Sequence, residues 1–499
     1  MNEVFGERMM SPQLHAAALA ATLLLAACSV APTYQRPDAQ VGAAFKENVP
    51  ESAQWKLAQP SDALARGEWW TIFGDPKLDE LQAEAARANQ TLRAGFARLA
   101  QARAAAGVAE SQRLPQIEAG FGATRLRASP ASQGLPADAD VPPQTLWRAQ
   151  AFATYEVDLF GRVANAVAAA RADVEQTEGL YKSLLLAIQA DVAANYLALR
   201  GLDAEIALLA ETVKLREQAL ALVERRLKAG EIAELDVARA KTELATARAE
   251  RVALERRRAA IEHALAVLVG KAPAELALAP RPLAFAPIAI PAGLPSSLLE
   301  RRPDIAAAER AMAAANARIG VARAAWFPRL TLTGLLGLES AEFGDLARSA
   351  SRTWALGPLA GTALSLTVFD GGRRAANERG AEAAYEEAVA AYRQTVLGAL
   401  REVEDGLSGL RLLAQQAAEQ ASSVESAQRA ADLSGTRYRA GYVNYLEVID
   451  AERQVLATRR AATQIERERA LATVALIRAL GGGWEAAPKL AANAERSLR

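Results

Sequence analysis

Two hydrophobic patterns alternate along this chain. From Val163 to Lys228 no proline intervenes, and apolar residues recur at Leu185, Ile188, Val192, Tyr196, Leu199, Leu202, Ile206, Leu209, Val213, Leu220, Val223 and Leu227. With the interrupted place at Arg216 counted, the mean step is about 3.5 residues, the period of a left-handed coiled coil. As one helix the run would reach roughly 100 Å at about 1.5 Å per residue. After Gly230 the chain returns through about Leu268. The same pattern runs from Arg373 to Thr436 and back from Asn444 to Leu480.

The second pattern has period two. A helical run from Leu78 to about Arg113 ends at Pro115, because proline removes a backbone donor and clashes with the preceding turn. Beyond it Ile117, Ala119, Phe121 and Ala123 alternate with Glu118, Gly120, Gly122 and Thr124. After a loop over 129–143, Trp147, Ala149, Ala151, Ala153, Tyr155 and Val157 alternate with polar residues. Weaker alternators follow at Leu330, Leu332 and Gly334, and at Leu364, Leu366 and Val368, flanked by Trp326, Phe327, Trp354 and Phe369. About ten residues per strand with aromatics near the ends suits a transmembrane β-strand. Four such strands cannot close a barrel, since the smallest filled barrels have about eight. Open edges in lipid would cost several kcal/mol per unmet backbone group, so the chain is expected to oligomerise. A soluble sandwich would need many further strands.

These elements occur twice. The stretch RLKAGEIAELDVARAKT (226–242) is answered 211 residues later by RYRAGYVNYLEVIDAER (437–453). Ala229-Gly230 aligns with Ala440-Gly441, and Leu235-Asp236-Val237 with Leu446-Glu447-Val448. Pro115 and Pro328 stand 213 apart. The chain therefore reads as a tandem duplication of about 210 residues, with Gly230 and Gly441 as the hairpin turns. The expected fold is mainly α with membrane β: four strands per protomer and long coiled-coil helices. The repeats are placed at 69–282 and 283–484, with a tail at 485–499.

Composition narrows the function. Lys+Arg and Asp+Glu both number 58, which suggests no nucleic-acid partner. Two His and one Cys leave little for metal or thiol chemistry, and no cofactor is expected. No GxxxxGK[ST], HExxH or GxSxG motif occurs, so no enzyme is expected. Asp370-Gly371-Gly372 after a strand reads as a turn rather than a phosphate loop. The lone cysteine ends the apolar run 16–27 as Leu25-Ala26-Ala27-Cys28, followed by Ser29. Such a run is too short to span a bilayer and suits a signal peptide over 1–27. Leu-Ala-Ala-Cys resembles the lipobox of bacterial lipoproteins, which makes Cys28 the lipidation site and 28–68 a Pro-rich arm. An Ala-rich signal with an incidental Cys is the alternative. The basic region is thin, with Arg8 opposed by Glu3 and Glu7, so translation starting at Met9 or Met10 is also open.

Several motifs occur together: Cys28 with Pro32-x-Tyr34-x-x-Pro37, Trp69-Trp70-x-x-Phe73-x-Asp75-x-x-Leu78, and Arg302-Pro303-Asp304-Ile305 with Ala308-Glu309. With Phe327-Pro328 and the 438–453 segment, they resemble the TolC-like outer-membrane factors, in the lipoprotein branch of OprM-like and NodT-like proteins. The resemblance implies a homotrimer with a 12-stranded outer-membrane barrel continued by an α-helical barrel in the periplasm. It also implies a passive exit duct that an inner-membrane RND transporter feeds through a periplasmic adaptor, with outer-membrane lipid around it. By motif match Leu446, Asp450 and Arg453 fall on the pore constriction, Tyr438 where relatives hold the closed state, and Glu447 at an acidic ring. The spacing i, i+4, i+7 puts the first three on one helix face. A solvated coiled-coil face is the plainer reading of that spacing. In the overlay Asp450 corresponds to Arg239, Glu452 to Lys241 and Glu447 to Asp236, so Arg239 and Asp450 are expected to attract across the copies. Alternative functions are a type I secretion duct, which shares the fold, and a periplasmic coiled-coil adaptor lipoprotein, which lacks the strands and the duplication. A hydrolase or transferase would need a nucleophile–base pair not found here.

Cys28→Ala is expected to abolish acylation without by itself preventing assembly, because the strands also hold the membrane. Metabolic labelling with palmitate checks it, and label retained in the mutant would remove the lipobox reading.

Overall fold

The computed structural model describes residues 30–37, 45–46, 67–283, 301–357 and 363–482. The expected signal peptide, Cys28 and the tail at 485–499 lie outside the described residues. The chain divides into two compact units, each drawing on both repeats.

The first unit comprises Met1–Pro37, Leu99–Thr177 and Ala308–Tyr392. It holds β1 (Gln116–Leu126), β2 (Gln144–Val157) and β3 (Arg329–Ser340), paired antiparallel in that order. Register aligns like with like. Ala119 faces Ala151, which faces Leu336, which faces Trp354. Because alternate side chains take opposite faces, one face is apolar and open, with Ile117 74% and Trp354 70% exposed. The other face carries Glu118, Arg148, Gln150, Thr333 and Glu339, with Arg148 Nε 2.8 Å from Glu339 Oε2. This matches the sequence alternation.

The fourth strand departs from expectation. The alternation puts it at 364–368, but it is made of β4 (Arg352–Leu356) and β5 (Leu364–Ser365), both paired to β3. Leu356 opposes Gly334 and Leu364 opposes Leu330, eight residues against four. The chain thus has four more residues than β3 between those points, and the two paired segments are only five and two residues long. Leu366 and Val368 lie beyond the ladder. Among the described residues β1 pairs only with β2, and β4 and β5 only with β3. Both edges are therefore free.

Residues 31–36 of the arm pack in this unit. Asn316 Nδ2 donates to the Pro32 carbonyl (2.9 Å), Arg36 Nη2 to the Tyr392 hydroxyl (3.1 Å), and Ala31 covers Gly320, where a Cβ would collide with it.

The second unit comprises Asp38–Arg98, Glu178–Ala307 and Arg393–Arg499. The single helix expected over 78–113 is two, α1 (Pro76–Ala88) and α2 (Gln90–Ser111), broken at Asn89. The Asn89 side chain accepts from the Leu92 N–H (2.9 Å), an N-cap contact, and donates to the Leu268 carbonyl (2.7 Å). That carbonyl is the last of α4. Helices α3 (Arg162–Lys228) and α4 (Glu234–Leu268) are matched by α6 (Arg373–Arg439) and α7 (Tyr445–Ala479) after α5 (Pro303–Ala324), with 67 and 35 residues in each copy. In the second copy Arg302 Nη1 donates to the Ala479 carbonyl (3.0 Å), the role Asn89 has in the first.

Four helix ends close identically. At Gly230, Gly270, Gly441 and Gly481 the glycine has positive φ, its N–H bonds back three residues and the next N–H five. This is the Schellman arrangement, which needs a left-handed residue at the end. The coiled-coil positions Val192, Tyr196, Leu199, Leu202, Leu209, Val213 and Val223 are all buried. The Trp69–Asp75 motif is explained too. Asp75 accepts from Lys77 N–H at the start of α1 (3.1 Å) and from the buried Tyr196 hydroxyl (2.7 Å), while Trp69 and Trp70 join the core around Leu78. Among the described residues no helix is long and apolar enough to cross a membrane.

Gly270 and Gly230 share a left-handed φ but differ in surroundings. A Cβ at Gly270 would strike the Ala88 backbone, whereas at Gly230 nothing lies within 4 Å. Gly230→Ala should cost about 1–2 kcal/mol from conformation alone, and Gly270→Ala clearly more. Thermal unfolding in detergent that ranked them equally would disprove the packing account.

Candidate channel gate

The hairpin ends meet in a small core. Val223 and Val237 of the first copy pack with Tyr445, Val448 and Ile449 of the second, and Leu220, Leu227, Ile232 and Tyr438 cover them. Tyr438 lies 5.5 Å from Tyr445, centroid to centroid, with the Arg226 guanidinium 5.0 Å over its ring. Burial, then the nearby Glu452 charge, pushes the Tyr445 phenol up to about 12, so it stays neutral.

That packing fixes which face of α7 stays free. With Tyr445, Val448 and Ile449 turned inward, Leu446, Glu447, Asp450 and Arg453 are left exposed. Asn444 caps the helix by accepting the Glu447 N–H (3.2 Å). The motif-matched face and the solvent face of α7 coincide. Asp236 and Arg239 are half-buried on α4, and Gly230 and Gly441 sit exposed at the two turns.

The charges pair differently from the expected Arg239–Asp450 contact. Arg239 reaches Asp236 on its own helix (3.6 Å), and Asp450 reaches Arg453 (3.4 Å). Lys241 approaches Glu224 at 3.8 Å rather than Glu452. Between the returning helices α4 and α7, Arg453 pairs with Glu243 (Nε–Oε1 2.9 Å) and Arg460 with Glu250 (2.8 Å), each joining residues 210 apart. Matching heights was the right geometry, but the partners lie one residue off the repeat. Arg216, at the interrupted heptad place, is 8% exposed, with Nη2 3.0 Å from Glu243 Oε2. Its charge in an apolar register was the only sequence signal for this contact, and Glu243 had none.

Comparison with known proteins fits the duplication. The outer membrane efflux protein family matches residues 81–271 and again 294–482. The chain is 35% identical over 479 residues to outer membrane protein OprJ of Pseudomonas aeruginosa, covering 96% of this chain and 97% of that one. It is 31% identical over 473 residues to the cation efflux system protein CusC of Escherichia coli, covering 93% and 97%. The solved outer-membrane channel OprN superposes with a TM-score of 0.82 at 32% identity, covering 92% of this chain and all of that one. With both repeats matched and such relatives spanning nearly its whole length, this chain belongs to the outer membrane efflux protein family, whose members are outer-membrane channels of efflux systems.

Proposed function

We propose that three copies close into one barrel and form the passive exit duct of a tripartite pump, fed by an inner-membrane RND transporter through a periplasmic adaptor. The sheet carries this reading: its apolar face is exposed, its other face is polar, and both edges are free. Closing edge to edge satisfies every strand and turns the polar face to a water-filled lumen. An acyl chain on Cys28 adds roughly 0.8 kcal/mol per buried methylene to membrane attachment.

The gate reading rests on α7. Leu446, Asp450 and Arg453 form the constriction, with Tyr438, Glu447, Asp236 and Arg239 around it and Gly230 and Gly441 turning the hairpins. Three Asp450 carboxylates near an axis make a negative ring that favours cations in a narrow pore. Substrate is left to the pump. Relatives of similar identity are named for toluene efflux, pyoverdine export and cation efflux, so likeness to the family does not fix the cargo.

Two outcomes test this. Chemical cross-linking of purified protein in detergent should stop at three copies, inserting as one pore. Monomers each giving a conductance would sink the barrel. Asp450→Ala should lower cation selectivity, most visibly at low ionic strength where charges are least screened. Because Asp450 lies against Arg453 and Arg239 against Asp236, exchanging Asp450 and Arg239 should not restore closure. Unchanged selectivity in Asp450→Ala would remove the ring.

A further inference from the structure

Glu243 joins three helices. It lies on α4 with its side chain 10% exposed. Its Oε2 faces Arg216 of α3 (Nη2, 3.0 Å), whose Nη1 also donates to the Glu243 carbonyl. Its Oε1 accepts from Arg453 of α7 (Nε, 2.9 Å). One oxygen is thus fixed inside the coil and the other is aimed at the exposed face where Leu446, Asp450 and Arg453 stand.

The duplication shows that packing does not require these charges. In the second copy the place of Arg216 is taken by Ala427, buried in its own coil, and the place of Glu243 by Gln454. Both hairpins nonetheless have the same helix lengths and the same turns. The buried pair is therefore dispensable for a hairpin as such, and a buried pair has a desolvation cost to offset. What it adds in the first copy is a grip on Arg453.

Further along α7 the grip repeats at heptad spacing. Arg460 pairs with Glu250 and Arg467 with Glu205, each at 2.8 Å. The Arg467 stem also lies against Gly201, where a Cβ would come within 2.6 Å of it. Arg453 is the most exposed of the three arginines, at 53% against 27% and 24%. It is the rung that can release while the other two hold.

We propose that Glu243 is the positioning residue of the gate: held by Arg216 through one oxygen, it holds Arg453 with the other and so sets the closed position of the α7 tip. The proposal rests on the gate reading above. The test is single-channel recording of the full-length protein in planar bilayers, with thermal stability measured in parallel. Glu243→Gln and Arg453→Gln should each raise the open fraction about fivefold, as loss of one partly exposed charge pair allows. The double variant should leak no more than either single, and Arg453→Lys should close partly. Arg460→Gln, one rung away, should change conductance little. Where Glu243→Gln assembles poorly, Glu243→Gln with Arg216→Met removes the orphaned guanidinium and should leak like Arg453→Gln.

Several results would overturn the proposal. They are a Glu243→Gln channel as closed as wild type beside a leaky Arg453→Gln, and a double variant whose leak is the product of the singles. Wild-type closure in the Arg216→Met combination would count equally. If Arg453→Gln and Asp450→Ala both stay closed and keep wild-type selectivity, the gate reading itself fails and takes the proposal with it.

Discussion

A backbone N–H or C=O without a partner in hydrocarbon costs several kcal/mol, and the two edges of this sheet carry rows of them. Among the described residues, one chain supplies strands for only part of a barrel. The exposed Ile117, Phe121, Leu336 and Trp354 would be an aggregation hazard in water, yet they are what a lipid-facing strand requires. The fourth strand is faint in sequence for a local reason. Its ladder to β3 is made by two short segments, and its alternation is correspondingly short.

The helical unit answers the same constraint at its helix ends. Each long hairpin must turn sharply and satisfy its last carbonyls. Four Schellman glycines do this, in two pairs separated by the repeat length. The last carbonyl of each returning helix takes a side chain from the same place in its copy, an amide from Asn89 in one and a guanidinium from Arg302 in the other. Backbone geometry was kept between the copies while the donor changed. Arg302 then gained ion pairs to Asp304 and Glu402 (both 2.7 Å), which the shorter Asn89 side chain cannot make.

Where the copies differ, function has room to enter. Arg216 and Glu243 are charged and buried in the first hairpin, and Ala427 and Gln454 replace them in the second. The difference falls beside Arg453, on the face of α7 that the tip core leaves exposed. A duplicated coil can thus keep its packing twice and build a charged joint once.

The sequence by itself determined the duplication, the extents of the four long helices, the glycine turns and three of the four strands. Each is written in a period or a residue type that acts within one turn or one strand: 3.5 for the coils, 2 for the ladder, glycine for positive φ. It also placed Leu446, Asp450 and Arg453 on a common face, since helix geometry fixes that spacing. Tertiary structure decided the rest. Asn89 breaks a run that reads as continuous, because its amide finds the end of a helix 179 residues away. Arg453 turns to Glu243 rather than leaving Arg239 and Asp450 to meet, because packing of Val448 and Ile449 sets the rotation of α7. Ion-pair partners depend on rotations and heights of helices distant in sequence, and no local pattern encodes those.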